Sequence, residues 1–202
     1  MTQKILIWDV PTRVFHWMQV VCFVGAYLTA ESERNRDIHV ALGYILLGLI
    51  LFRLLWGFIG TRYARFSSFF FYPGQIIDYL SSLFKGKPKH YLGHNPAGSV
   101  SVWLLLGLGL FLCVTGVLAL QDDVSDEVIE MHSWATDIML VVIALHLLGV
   151  VMSSILHREN LARSMVTGTK PAEAEEGIQS GYLWLGALML TVAVVFWFVY
   201  LG

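Results

Sequence analysis

Long apolar runs separated by short polar ones are the dominant pattern in this chain, and their lengths say more than any local periodicity. Five runs stand out, at about Val14–Ala30, Ile38–Ile59, Ser99–Leu120, Met131–Leu156 and Gly181–Leu201. Each approaches or exceeds the roughly 20 residues that carry an α-helix across about 30 Å of hydrocarbon. Lipid cannot satisfy exposed backbone groups, so such runs predict helices, and the short alternating strands of a membrane β-barrel are absent from the pattern. FFFYPGQIIDYLSSLF (69–84) predicts a short amphipathic helix on the membrane surface, with Pro73 near its start. KPAEAEEG reads as a flexible linker before the last run. The expected fold class is therefore all-α: an integral membrane helical bundle whose fifth, C-terminal helix (linker and helix together 171–202) follows a core in residues 1–170.

Composition agrees, with 56% apolar and 14% charged residues. A net charge of −2 without a basic tail leaves no case for nucleic acid. Cys22 and Cys113 sit inside apolar runs, and neither belongs to a C-x-x-C or C-x-x-C-H motif. They are expected to pack as small hydrophobes, and covalent haem attachment is not indicated. The N-terminal stretch lacks the layout of a cleaved signal peptide, so the first apolar run is expected to be retained as a helix. Charge then sets the topology. Arg34 and Arg36 lie on one side of the bundle and the other eleven of the thirteen Lys and Arg on the opposite side. The positive-inside rule predicts a multi-pass bacterial inner-membrane protein with its N-terminus cytoplasmic and its C-terminus periplasmic.

The candidate chemistry lies in the histidines. His132 and His146 share the fourth run, fourteen residues apart. Just under four helical turns separate them, so they face nearly the same way about 21 Å apart along the axis. Polar groups inside a span are costly and usually turn inward to a partner. His16 and His39 begin the first and second runs. Histidine is a standard axial ligand of haem iron, and trans ligands of one iron lie only a few Å apart, so His132 and His146 cannot share one. Matching depth pairs His16 with His146 and His39 with His132, which predicts two non-covalent haem b groups stacked across the bundle. A proton relay would favour carboxylates at intermediate depth, and Asp137 alone lies well inside a span. Zinc or copper would need ligands gathered at one depth.

The motifs W-D-x-x-x-R-x-x-H-W (Trp8–Trp17), R-x-x-W-G (Arg53–Gly57), H-N-P-x-G (His94–Gly98) and R-E-N-x-x-R-S-M-x-T-G-x-K (Arg158–Lys170), together with the spaced His132 and His146, resemble the prokaryotic cytochrome b-561 family. That family includes the di-haem b-type membrane subunits of nickel–iron hydrogenases, and the resemblance covers about residues 7–170. It implies a four-helix di-haem core with bis-histidine ligation by His16, His39, His132 and His146. It also implies electron transfer in a respiratory chain between the quinone pool and a redox protein, often periplasmic, such as a c-type cytochrome, flavocytochrome or hydrogenase. Such a protein is an electron-transfer subunit of a quinone-linked oxidoreductase. A standalone enzyme such as a superoxide oxidase is the alternative, but Asp122, Asp123, Asp126, Glu127 and Glu130 on the outer side argue against steering of an anion. Arg13, one helical turn before His16, is a candidate partner of a haem propionate. Asn95, His157, Arg158 and Asn160 are candidate quinone or propionate contacts.

Overall fold

The computed structural model describes residues 3–86 and 88–202, so Met1, Thr2 and Lys87 (one of the basic residues counted above) lie outside it. Among the described residues seven α-helices follow one another: α1 (Val10–Thr29), α2 (Arg36–Ile59), α3 (Pro73–Phe84), α4 (Pro96–Leu118), α5 (Asp126–His157), α6 (Leu161–Thr167) and α7 (Leu183–Leu201). By length and apolar character, α2 with its lead-in turn, α4, α5 and α7 suffice to cross a membrane. The expected first span differs. Helix α1 has 20 residues but is less apolar, because Arg13, His16 and Gln19 occupy its first half. Helix α3 forms where the amphipathic pattern predicts it, starting at Pro73.

The starts of the helices are written locally. Asp9 caps α1 by accepting from Thr12 N at 2.7 Å, Asn95 caps α4 through Gly98 N at 2.7 Å, and Asn160 caps α6 through Arg163 N at 2.7 Å. Pro11 and Pro96 occupy first-turn positions where no backbone donor is needed. Gly168 ends α6 with φ 80°, a left-handed cap that favours glycine.

Two antiparallel hairpins form the bundle. In the first, Phe15 packs with Leu49, and further along Cys22 and Ala26 pack with Leu42, joining α1 to α2. In the second, Leu112 packs with Ala135 and Met139, joining α4 to α5. Ile50 lies against Gly109, where an added Cβ would stand 2.9 Å from Ile50 Cδ1, so the hairpins approach closely there. Helix α7 docks on α1 in the same way: a Cβ on Gly186 would meet Val10 Cγ1 at 2.5 Å.

The chain departs from an all-helical plan at its basic end. Residues Gln3–Leu6 (β1) pair antiparallel with Thr169–Ala172 (β2), with Gln3 opposite Ala172 and Leu6 opposite Thr169. Ile7 N and Trp8 N extend the contact to Gly168 O at 2.8 and 3.0 Å. The expected flexible linker is therefore a strand followed by a 3-10 turn at Ala174–Glu176. The division expected at residue 170 falls inside β2. The cause is non-local: β1 supplies the backbone partners that the linker's own sequence does not announce. Buried Asp9 completes this end, accepting from Trp56 Nε1 at 3.1 Å and from Thr61 Oγ1, which ties the start of α1 to the end of α2.

Candidate functional site

Among the described residues a partly open cavity of about 1650 Å³ lies between the helices, lined by His16, His39, His132 and His146 among others. That exceeds the roughly 300–1,000 Å³ typical of a site for one drug-sized ligand. Gly43 and Gly149 line it, and a Cβ on either would meet nothing within 4 Å, which leaves room for a flat group against the backbone.

At the acidic end the rings of His39 and His132 lie 6.3 Å apart, centroid to centroid, at 68° to each other. With a metal–imidazole bond of about 2 Å and a ring radius of about 1.1 Å, two imidazoles would need centroids roughly 6.2 Å apart to hold one metal ion between them, and His39 and His132 have that separation. The outward nitrogens are already engaged. His39 Nδ1 contacts the Ala26 carbonyl at 2.8 Å; a carbonyl only accepts, so Nδ1 carries the proton. His132 Nδ1 lies 2.9 Å from Thr115 Oγ1. The Thr115 hydroxyl also has the carbonyls of Phe111 (2.9 Å) and Leu112 (3.2 Å) in reach for its single proton, which leaves its oxygen able to accept from a protonated His132 Nδ1. His39 thus presents an unprotonated Nε2, the state that binds metal, and both imidazoles have Nδ1 engaged by a hydrogen-bond partner, as metal-bound histidines require. Helix α4 comes close enough for this because position 116 is glycine, whose added Cβ would lie 3.3 Å from His132 Cε1.

At the basic end His16 and His146 line the same cavity. Around them stand His94, Arg53 and Lys170, all cavity-lining. Arg53 is 3% exposed, Lys170 4%. Arg53 rests on Phe66 (5.1 Å) and Phe69 (5.8 Å), and its Nη1 has no hydrogen-bond partner. His94 packs edgewise on Trp8 (4.9 Å) and against Phe69 (4.6 Å), with Nδ1 unpartnered. Desolvation, then the nearby Arg53 cation, holds the His94 imidazole down to about 3, so it is neutral at physiological pH. Burial also pushes the Lys170 ammonium down, opposed by Glu159, whose Oε2 lies 3.7 Å from Nζ.

These residues fit haem. Four imidazoles line one cavity, two of them 6.3 Å apart, the glycines in its wall leave room for a plate, and buried Arg53 Nη1 and His94 Nδ1 have no protein partner. The other expected contacts separate. Arg13 turns away from the main cavity into a smaller recess, where Nη1 donates to Val166 O at 2.6 Å. Of the four candidate quinone or propionate contacts, Asn95 lines the cavity and reaches Ser153 Oγ at 3.5 Å. His157, Arg158 and Asn160 lie outside it, with Arg158 and Asn160 exposed. The sequence reading missed Thr115, which stood out only as a hydroxyl in an apolar helix, and the burial of Arg53 and Lys170, which looked like basic flanks.

Among curated proteins, the chain is 23% identical to a probable Ni/Fe-hydrogenase B-type cytochrome subunit of Rhizobium leguminosarum bv. viciae, over 83% of this chain and 89% of that one. It is 25% identical to the subunit of the same name in Azotobacter vinelandii, covering 81% and 87%. A probable Ni/Fe-hydrogenase 1 B-type cytochrome subunit of Escherichia coli (strain K12) is 26% identical over 54% of this chain and 57% of its own length. No solved structure matches. Residues 7–168, from the approach to α1 through the end of α6, match the prokaryotic cytochrome b561 family, and with its long apolar helices the chain belongs to that family of membrane electron-transfer cytochromes.

Proposed function

We propose that this protein carries electrons between quinone in the bilayer and a periplasmic redox partner of the hydrogenase type, through two b haems held by His16 with His146 and by His39 with His132. The carrying observation is the 6.3 Å separation of His39 and His132 with both Nδ1 atoms hydrogen-bonded. Bound haem supplies reversible one-electron iron chemistry. The chain's own part is to fix the ligands, exclude water from the cavity and set the charge around it. Helix α5 gives a ligand to each site, which makes one rigid element the spacer between them.

The basic end, with α3, α6 and the β1–β2 pair, faces the cytoplasm by the positive-inside rule, and the turn between α4 and α5 faces the periplasm. Residues 1–170 act as the di-haem core, and 171–202, ending in α7, as a docking extension. Quinone approaches at the basic end, where Asn95 offers an amide at the cavity wall. The exposed acidic residues Asp122, Asp123, Asp126, Glu127 and Glu130 sit beside the other site. They favour a basic partner surface, and relatives whose names place them in Ni/Fe-hydrogenases support that partner class.

The test is haem stoichiometry on purified protein by pyridine haemochrome, with extraction into acidified acetone. Two extractable haems per chain are expected. One haem, or haem that stays with the polypeptide, refutes the assignment.

A further inference from the structure

Arg53 poses a specific physical problem. The residue is 3% exposed, its Nη1 is buried without a hydrogen-bond partner, and among the described residues no carboxylate lies within ion-pair distance. Asp9 is the nearest candidate by charge, but its oxygens are taken by Thr12 N, Trp56 Nε1 and Thr61 Oγ1. A buried cation without a paired anion is strongly unfavourable. The phenyl faces of Phe66 and Phe69 offset part of that cost but leave the in-plane donors free. Arg53 lines the cavity at the basic end, and so do His94 with its free Nδ1 and Lys170, whose one ion pair is a 3.7 Å contact to Glu159. The donors converge on a space that also touches His16 and His146.

We propose that Arg53 clamps the propionate carboxylates of the haem held by His16 and His146, with Lys170 and His94 completing the anion site. The planar guanidinium matches a carboxylate with two parallel N–H bonds. This places the propionate edge of that haem toward Phe66 and Phe69 at the basic end and leaves its apolar body among the spanning helices. It also has a redox consequence. Arg53 neutralises propionate charge beside the iron, which favours the reduced state, whereas exposed carboxylates crowd the end that holds His39 and His132. The basic-end haem is therefore the higher-potential one.

The inference rests on the two-haem reading, and the experiment separates the two. The full-length parent, Arg53→Gln, Arg53→Lys, Lys170→Met and His146→Ala are purified with haem. Each is assayed for haem content and titrated potentiometrically through the haem α-band, with His146→Ala identifying the basic-end component. In Arg53→Gln the reduced-to-oxidised ratio of that component at fixed ambient potential falls about tenfold, which is a shift of about 59 mV for one electron. Lys170→Met moves it the same way by less. Arg53→Lys, which keeps the charge, recovers most of the parent value, and the component held by His39 and His132 stays in place throughout. A resonance Raman shift of the propionate bending band in Arg53→Gln accompanies the change. Fewer than two haems in the parent refutes the functional reading. Two haems in the parent, with unchanged potentials or equal shifts of both components in Arg53→Gln, refutes this inference alone. If Arg53→Gln does not retain haem, Arg53→Lys decides: retention with a potential near the parent's supports the clamp, and loss of both haems overturns it.

Discussion

Replacing Thr115 by valine tests the proposed ligand geometry with little change of shape. The hydroxyl lies 2.9 Å from His132 Nδ1, and with its own proton turned to the backbone at Phe111 or Leu112 it would accept the Nδ1 proton of an iron-bound His132. Accepting from Nδ1–H pushes electron density onto Nε2 and favours the oxidised iron bound there. Such a hydrogen bond contributes about 1 kcal/mol net, and the difference it makes between the two redox states is at most of that order. A factor of ten corresponds to about 1.4 kcal/mol or 59 mV for one electron, so 1 kcal/mol is about 42 mV. Thr115→Val should therefore raise the potential of the haem held by His39 and His132 by roughly 20–40 mV, leaving the other within error. It should also weaken retention of that haem, since an unsatisfied buried N–H costs about 1–3 kcal/mol. Thr115→Ser keeps the acceptor and should titrate close to the parent. The assay is potentiometric titration followed at the α-band in detergent. A Thr115→Val protein with the parental potential, or a Thr115→Ser protein shifted equally, would show that Thr115 does not accept from an iron-bound His132.

The remaining predictions concern pairing, stability and docking. His16→Ala and His146→Ala should remove one common spectral component, and His39→Ala and His132→Ala the other; a component shared by His16 and His132 would break the assignment. Asp9→Ala removes a helix cap and strands the Trp56 and Thr61 donors, so it should destabilise the fold by about 3 kcal/mol, read as a lower Tm in detergent with haem bound. Gly168→Ala should cost about 1–3 kcal/mol, since φ is 80° and the new Cβ would stand 2.7 Å from the Trp8 carbonyl oxygen, a backbone atom with little freedom to move; an unchanged unfolding midpoint would contradict this. Converting Asp122, Asp123, Asp126 and Glu127 to Asn and Gln should slow electron exchange with a basic redox partner at low ionic strength, with the gap closing as salt rises. Equal rates at low salt would remove this rim from the docking surface.

How far the sequence reached depended on the range of the interaction concerned. The apolar runs are a property of consecutive residues, so the helices that become α2, α4, α5 and α7 are legible directly, whereas Asn95 and Asn160, expected as quinone or propionate contacts, cap α4 and α6. The four histidines were legible as well, because helical geometry turns a fourteen-residue spacing into a common face, and charge asymmetry assigns each of the other two a depth. The residues that were missed act through neighbours distant in the chain. Residues Gln3–Leu6 become a strand only because Thr169–Ala172 arrive beside them, and neither segment carries that partner in its own pattern. Thr115 and Ala26 meet the backs of His132 and His39 across helix pairs, at distances that packing alone sets. Arg53 and Lys170 read as basic flanks because sequence records a charge but not its solvation; folding removes both from water and turns them toward the cavity. Arg13, chosen for its helical spacing from His16, is drawn instead to the Val166 carbonyl by the docking of α6. Local pattern thus determined the helices and singled out the four histidines that line the cavity, while tertiary packing decided which polar groups lost their water and therefore which ones need a partner inside the bundle.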